Sequence, residues 1–371
     1  MSIKSFKLEE YLTQYEFSSP HLLCCSDAES FSMSEVIALA NTEEKNLWDN
    51  LELKYTEPFG YPALRHRISK TMYEHMHADN ILCFSGAEEG IYCALSVLCE
   101  QGDHAIVLTP CYQSLKEIPA MNGCEVTELN LKKENNWNIC LDDIKQAIRP
   151  NTKCFVMNFP HNPSGQVISQ HALDDLVLLL DKHGIWLFSD EVYRHLGTPD
   201  EPWASPAADR YDKAISLGVM SKAFGMPGLR VGWIACQNTS LLHDIKRMKD
   251  YTSICNSAPS EILSLIALRN KNHVLTRNNR IVKHNLMLLE NFFSRYSNLF
   301  QWVKPQGGCV GYVNYLSDES SDLFCHRLVQ EHGILLMPAS VYDDPSNSFR
   351  IGFGRRNMPD VLSLFEAVMT S

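Results

Sequence analysis

Four short apolar runs, HAIVLTP, KCFVMNFP, GIWLFSDE and KAISLG, recur along the chain, each closing on a turn, with helical patterns between them. Runs this short and this uniformly apolar suit strands covered on both faces. Alternating with helices, they predict an α/β fold: a mainly parallel central sheet flanked by helices. SGAEEGIYCALSVLCEQG puts Ile91, Leu95 and Leu98 on one face, with Ser85 and Glu88 spaced as a capping box, and predicts a helix over about 87–100. SQHALDDLVLLLDKHG reads as an amphipathic helix closed by a glycine.

Ligands of such sheets bind outside the carboxyl ends of the strands. Polar residues gather at that edge: Tyr112 after AIVLTP, Asn158 and Asn162 after CFVMN, Asp190 at the end of IWLFS, and Lys222 after AISLG. Scattered surface residues would not share one end of one sheet, so Lys222 is set apart from an ordinary solvated lysine. Gly86 would let an anion approach the first N–H groups of the helix over 87–100, and Arg230 offers a planar fork for phosphate oxygens. Glu88 and Glu89 suit the start of a helix but would repel a nearby phosphate. A carboxylate beside a protonated ring nitrogen, with a lysine next to the ring, is the arrangement a pyridoxal phosphate enzyme needs.

At 371 residues the chain exceeds the roughly 250–300 at which single cores stop growing, so two closely docked units are expected. The larger spans 45–275. The smaller, α+β in character, combines 1–44 with 276–371, after a long helical stretch over about 258–298. The N-terminal MSIKSFKLEEYLTQYEF has no signal-peptide core and reads as an exposed arm or helix. No run of about 18 apolar residues could span a bilayer, and a net charge of −11 disfavours nucleic acid. Thirteen cysteines without a CxxC suit free thiols in a reducing, cytoplasmic compartment. The fourteen histidines form no HExxH, and no metal is expected. IWLFSDE could mimic the magnesium strand of a phosphate-loop ATPase, but the chain has no GxxxxGK[ST].

SKAFGMPGLRVGW, NFPHNPSG and SDEVY, in that spacing, resemble the lysine segment, asparagine loop and aspartate strand end of the fold-type I, pyridoxal-phosphate-dependent aminotransferases of class I and II. The resemblance runs from about residue 50 over nearly all of the chain. It implies that the protein moves an amino group between an L-amino acid and a 2-oxo acid, with Lys222 forming a Schiff base to pyridoxal 5′-phosphate. Lys222 would then move the proton, Asp190 would hold the pyridine nitrogen protonated, and Asn162 and Tyr193 would bond the ring's 3′-oxygen. Tyr112 would stack on the ring. The backbone at Gly86, Ala87 and Glu88, with Ser221 and Arg230, would cup the phosphate. Tyr55, in YTEPFGYPALR, would reach the phosphate of a neighbouring subunit, implying a homodimer with shared active sites. Arg350, in NSFRIGFG, would grip the substrate α-carboxylate, with Asn162 beside it. A lyase or cyclase acting on an amino acid would share Lys222, so elimination stands as the alternative.

The chain departs from the family pattern in places. Val219 stands where a hydroxyl residue often helps hold phosphate, which points to weaker phosphate binding. His161 and Ser164 replace the usual asparagine and threonine. The loop over 21–35 lacks the glycine-containing stretch that commonly lines the substrate pocket, so it leaves the choice of substrate open.

Overall fold

The computed structural model describes residues 4–370; residues 1–3 and 371 of the expected smaller unit lie outside them. Seven strands form the central sheet, in the order Ile81–Phe84, Gly232–Ala235, Ala214–Val219, Trp186–Asp190, Thr152–Asn158, His104–Thr109 and Glu125–Asn130. All neighbours are parallel except at Gly232–Ala235, which runs against both of its partners. The four expected strands lie side by side, buried on both faces. One face packs on Phe84, Leu95 and Phe188, the other on Phe155, Leu176 and Leu187. From His104–Thr109 the chain moves one way to Glu125–Asn130, then crosses back to Thr152–Asn158. The crevice at that reversal is where such sheets take ligands.

The boundaries differ from expectation in three places. The first flanking helix is Ala87–Leu98, and its N-cap is Gly86 with no side-chain bond, so Ser85 and Glu88 form no capping box. It is Glu89 that reaches back, accepting from the Ser85 N–H at 2.6 Å; one more residue along the helix turns the carboxylate toward the preceding strand. The helical stretch over 258–298 is two helices, Ala258–Arg269 and Lys271–Arg295, separated at Asn270. The edge strand Glu125–Asn130 is half exposed and carries charge at its outer positions, so it lacks the apolar run that marks the inner strands.

A second, antiparallel sheet of four strands comprises Met337–Pro338, Ser348–Gly352, Val310–Tyr315 and Phe300–Trp302. Residues from the other end of the chain lie beside it, in a separate two-stranded sheet. His21–Leu22 pairs in parallel with Ile334–Leu335, and the Gly352 N–H donates to the Leu23 carbonyl. The following loop then runs toward Lys222, whose carbonyl accepts from the Ala28 N–H at 3.2 Å.

Of the two expectations for the N-terminal segment, arm or helix, the helix forms, and it is partly buried rather than exposed. Lys7–Tyr15 is a helix with Leu8 and Tyr15 buried, because Leu8, Tyr11, Leu12 and Tyr15 recur at helical spacing and form one apolar face. Among the described residues no helix is long and apolar enough to cross a membrane.

Candidate active site

The carboxyl edge of the central sheet opens into a cleft of about 310 Å³. Asp190 forms its floor at the last position of Trp186–Asp190 and is 4% exposed. One carboxylate oxygen accepts from the Val192 N–H at 3.2 Å. Burial pushes its pKa up from 3.8 to about 7, against the pull of that bond and of Lys222. Lys222 lines the same cleft. Burial draws its amine down from the ordinary lysine range, while Asp27 pushes it the other way. The ammonium donates to Ser26 Oγ at 2.8 Å and lies 5.9 Å from the centre of the Tyr193 ring.

Asn162 follows the strand Thr152–Asn158, and its N–H is fixed by the Asn158 side chain at 2.8 Å. Its side-chain oxygen Oδ1 accepts from Arg350 Nη1 at 3.1 Å and from the Tyr342 hydroxyl at 3.2 Å. Arg350, 2% exposed in the strand Ser348–Gly352, thus reaches across from the second sheet. Tyr112 lies along the wall, its hydroxyl donating to Glu9 at 2.9 Å, and the helix Lys7–Tyr15 brings Leu8, Glu9 and Leu12 over the opening.

At the other end of the cleft Gly86 has φ +98°, and a Cβ there would lie 2.4 Å from Arg230 Nη2. Only glycine leaves the guanidinium that place. The helix after it begins without a side-chain cap, so its first N–H groups remain available to an anion. Ala87, Ser221 and Val219 complete this end, and Val219 offers no donor to it. Glu88 also faces the cleft. Ser114 bonds one of its oxygens, the other has no partner, and burial pushes its pKa up.

Ten of the twelve residues to which the resemblance gives a site role line this one cleft, and Gly86 lies beneath Arg230. Tyr55 does not join them; it is 86% exposed on the surface. Sequence reasoning missed Ser26 and Tyr342, and it allowed the N-terminal helix without placing it over the cleft. The apolar face of that helix was the one signal available; Ser26 and Tyr342 carry none.

The sequence pattern of the family described as aminotransferase class I and II matches residues 24–367. The chain belongs to the class I and II aminotransferases. Capreomycidine synthase of Streptomyces vinaceus is 27% identical over 348 residues, covering 93% of this chain and 88% of that protein. Aspartate aminotransferase of Thermotoga maritima is 25% identical over 300 residues, 79% of this chain and 77% of that one. A solved pyridoxal-phosphate-dependent aminotransferase from Streptococcus suis superposes with a TM-score of 0.92 at 30% identity, covering 99% of this chain and 97% of that one.

Aminotransferases of this family use pyridoxal 5′-phosphate, and the residues present suit it. A buried acid with a single backbone partner matches a protonated ring nitrogen. The glycine cradle, the uncapped helix start and Arg230 match a phosphate. An amine made less basic by burial matches an aldehyde.

Proposed function

We propose that this protein is an aminotransferase that moves an amino group between an L-amino acid and a 2-oxo acid, with Lys222 as its catalytic amine. The observation that carries the reading is that Lys222 and Asp190 line one cleft, where burial shifts the amine down and the acid up. When bound, pyridoxal phosphate supplies an aldehyde that condenses with amines and a ring that draws electrons from the substrate Cα.

Each residue of the cleft then has a task. Asp190 keeps a proton on the ring nitrogen, because a buried carboxylate facing a cation is favoured over two separated neutral groups. Lys222, its amine made less basic by burial, takes the proton from the substrate Cα and returns it at C4′, the cofactor's aldehyde carbon. Asn162 and Tyr193 donate to the ring's 3′-oxygen, and Tyr112 packs on the ring face. Gly86, Ala87, Glu88, through their backbone, Ser221 and Arg230 hold the phosphate. Arg350 binds the substrate α-carboxylate as a charge-assisted pair, with Asn162 beside it. The helix Lys7–Tyr15 covers the opening and excludes water.

The reading extends to the assembly. A larger unit over 45–275 carries Lys222 and Asp190, and a smaller one over 1–44 and 276–371 carries Ser26 and Arg350. Two copies pair so that Tyr55 of each serves the other's phosphate. Thirteen cysteines, all free, favour the cytoplasm. A second reading, an amino-acid cyclase or lyase, is favoured by the likeness to capreomycidine synthase over 93% of the chain.

One experiment separates these. The loaded protein is incubated with a panel of amino acids and the products are identified. Transfer releases an oxo acid and keeps the nitrogen until an oxo-acid acceptor is added; elimination releases ammonia with no acceptor. Borohydride reduction followed by tryptic mapping marks the peptide carrying Lys222, and a mark elsewhere or none overturns the assignment.

A further inference from the structure

Tyr342 lies in the short turn between Met337–Pro338 and Ser348–Gly352, 3% exposed, and no motif in the sequence points to it. Its hydroxyl accepts from Arg350 Nη1 at 2.6 Å and faces two acceptors for its proton, the Asn162 side-chain oxygen Oδ1 at 3.2 Å and, further off, Met337 Sδ at 3.6 Å. The Cys24 carbonyl takes a bond from Arg350 Nη2 at 2.7 Å. Of the five donors on a guanidinium, Asn162, Tyr342 and Cys24 use one each. The Nε–H, buried and unpartnered, and one Nη2 proton remain. Two donors on adjacent nitrogens are what a carboxylate accepts side by side.

We propose that Tyr342 is a positioning residue for substrate recognition: its hydroxyl fixes the rotation of Arg350, so that the unused donors meet the α-carboxylate, and fixes the amide of Asn162 in the same act. The chemistry is a single relay. With the Asn162 oxygen engaged by both Tyr342 and Arg350, its amide N–H₂ group faces away from them. Without the hydroxyl, one Arg350 donor loses its acceptor and Asn162 loses a donor, so both side chains can turn. The ring itself packs edge-on to Tyr312, with centroids 6.2 Å apart, a contact that does not involve the hydroxyl.

The inference rests on the reading of Arg350 as the carboxylate site, and its test separates the two. The cofactor-loaded protein is titrated by calorimetry with L-lactate, a carboxylate that bears neither an amine nor an oxo group, and with L-lactamide, its uncharged analogue. The wild type binds lactate more tightly than lactamide. Tyr342→Phe, which keeps the ring, weakens lactate about tenfold or more, as expected for a hydrogen bond to a charged group, and leaves lactamide unchanged. The same variant raises KM for amino acids while kcat stays within a few-fold. Tyr342→Met gives the same pattern and serves if the Phe variant folds poorly. Equal lactate binding in variant and wild type overturns the role of Tyr342, as does an equal loss on lactamide. A wild type that does not distinguish the two probes overturns the carboxylate site itself, and the proposal with it.

Discussion

Lys222 Nζ and Ser26 Oγ meet at 2.8 Å although 196 residues of chain separate them. The bond serves the charged amine, since an ammonium can only donate and the serine hydroxyl oxygen accepts from it. Ser26→Ala removes that support while leaving the burial that draws the amine down. The pKa of Lys222 falls further, because the lost bond favoured the charged form. The rate at which the cofactor-free protein takes up pyridoxal phosphate, followed by absorbance, then reaches its plateau at lower pH than in the wild type. An unshifted profile removes Ser26 from the control of this amine.

Asp190 makes the cofactor-free protein pH-sensitive. Its folded pKa, about 7, stands above the ordinary 3.8. Between those values the folded chain holds a proton that the unfolded chain has released, so stability is fully present below about 4 and is lost as pH rises through 7. The loss amounts to a few kcal/mol, the free-energy equivalent of a pKa raised from 3.8 to about 7. Asp190→Asn flattens that slope and raises stability at pH 8, while slowing turnover of the loaded enzyme. Glu261, pushed to about 7 by its own burial, keeps a share of the slope in that variant. Denaturant unfolding from pH 4 to pH 8 measures the difference; identical slopes would contradict it.

Gly86→Ala sets a Cβ 2.4 Å from Arg230 Nη2 at φ +98°. The strained backbone costs about 1–3 kcal/mol, and Arg230 must move away from the phosphate end of the cleft. Cofactor affinity drops about tenfold or more, read by equilibrium dialysis, and the unfolding temperature falls by several degrees. Retained affinity would mean that Arg230 does not serve the phosphate.

Tyr55 offers a test of the shared site. At 86% exposure it takes no part in the cleft of its own chain. Tyr55→Phe weakens cofactor binding about tenfold, the worth of one hydrogen bond to a charged group, and leaves the unfolding of the cofactor-free protein unchanged. Sedimentation of the loaded protein gives the mass of a dimer. An unchanged dissociation constant would remove Tyr55 from the phosphate of the partner.

Local patterning in the sequence determined the inner sheet, because buried parallel strands need continuous apolar runs and those runs can be read without knowing what they touch. The turns after them then placed Tyr112, Asn162, Asp190 and Lys222 at one edge. Val219, equally, could be read as a missing donor. Only the tertiary structure decided that Ser26 meets Lys222, that Tyr342 orders Arg350 and Asn162, and that Lys7–Tyr15 covers the opening. Those contacts, and the bond from Arg350 to the Cys24 carbonyl across 326 residues of chain, depend on how two sheets dock. Periodicity reports which face of an element is buried. It carries no information on which distant element covers that face, since the hydrophobic effect that drives the docking is non-directional and the hydrogen bonds that give it direction form only once the segments have met.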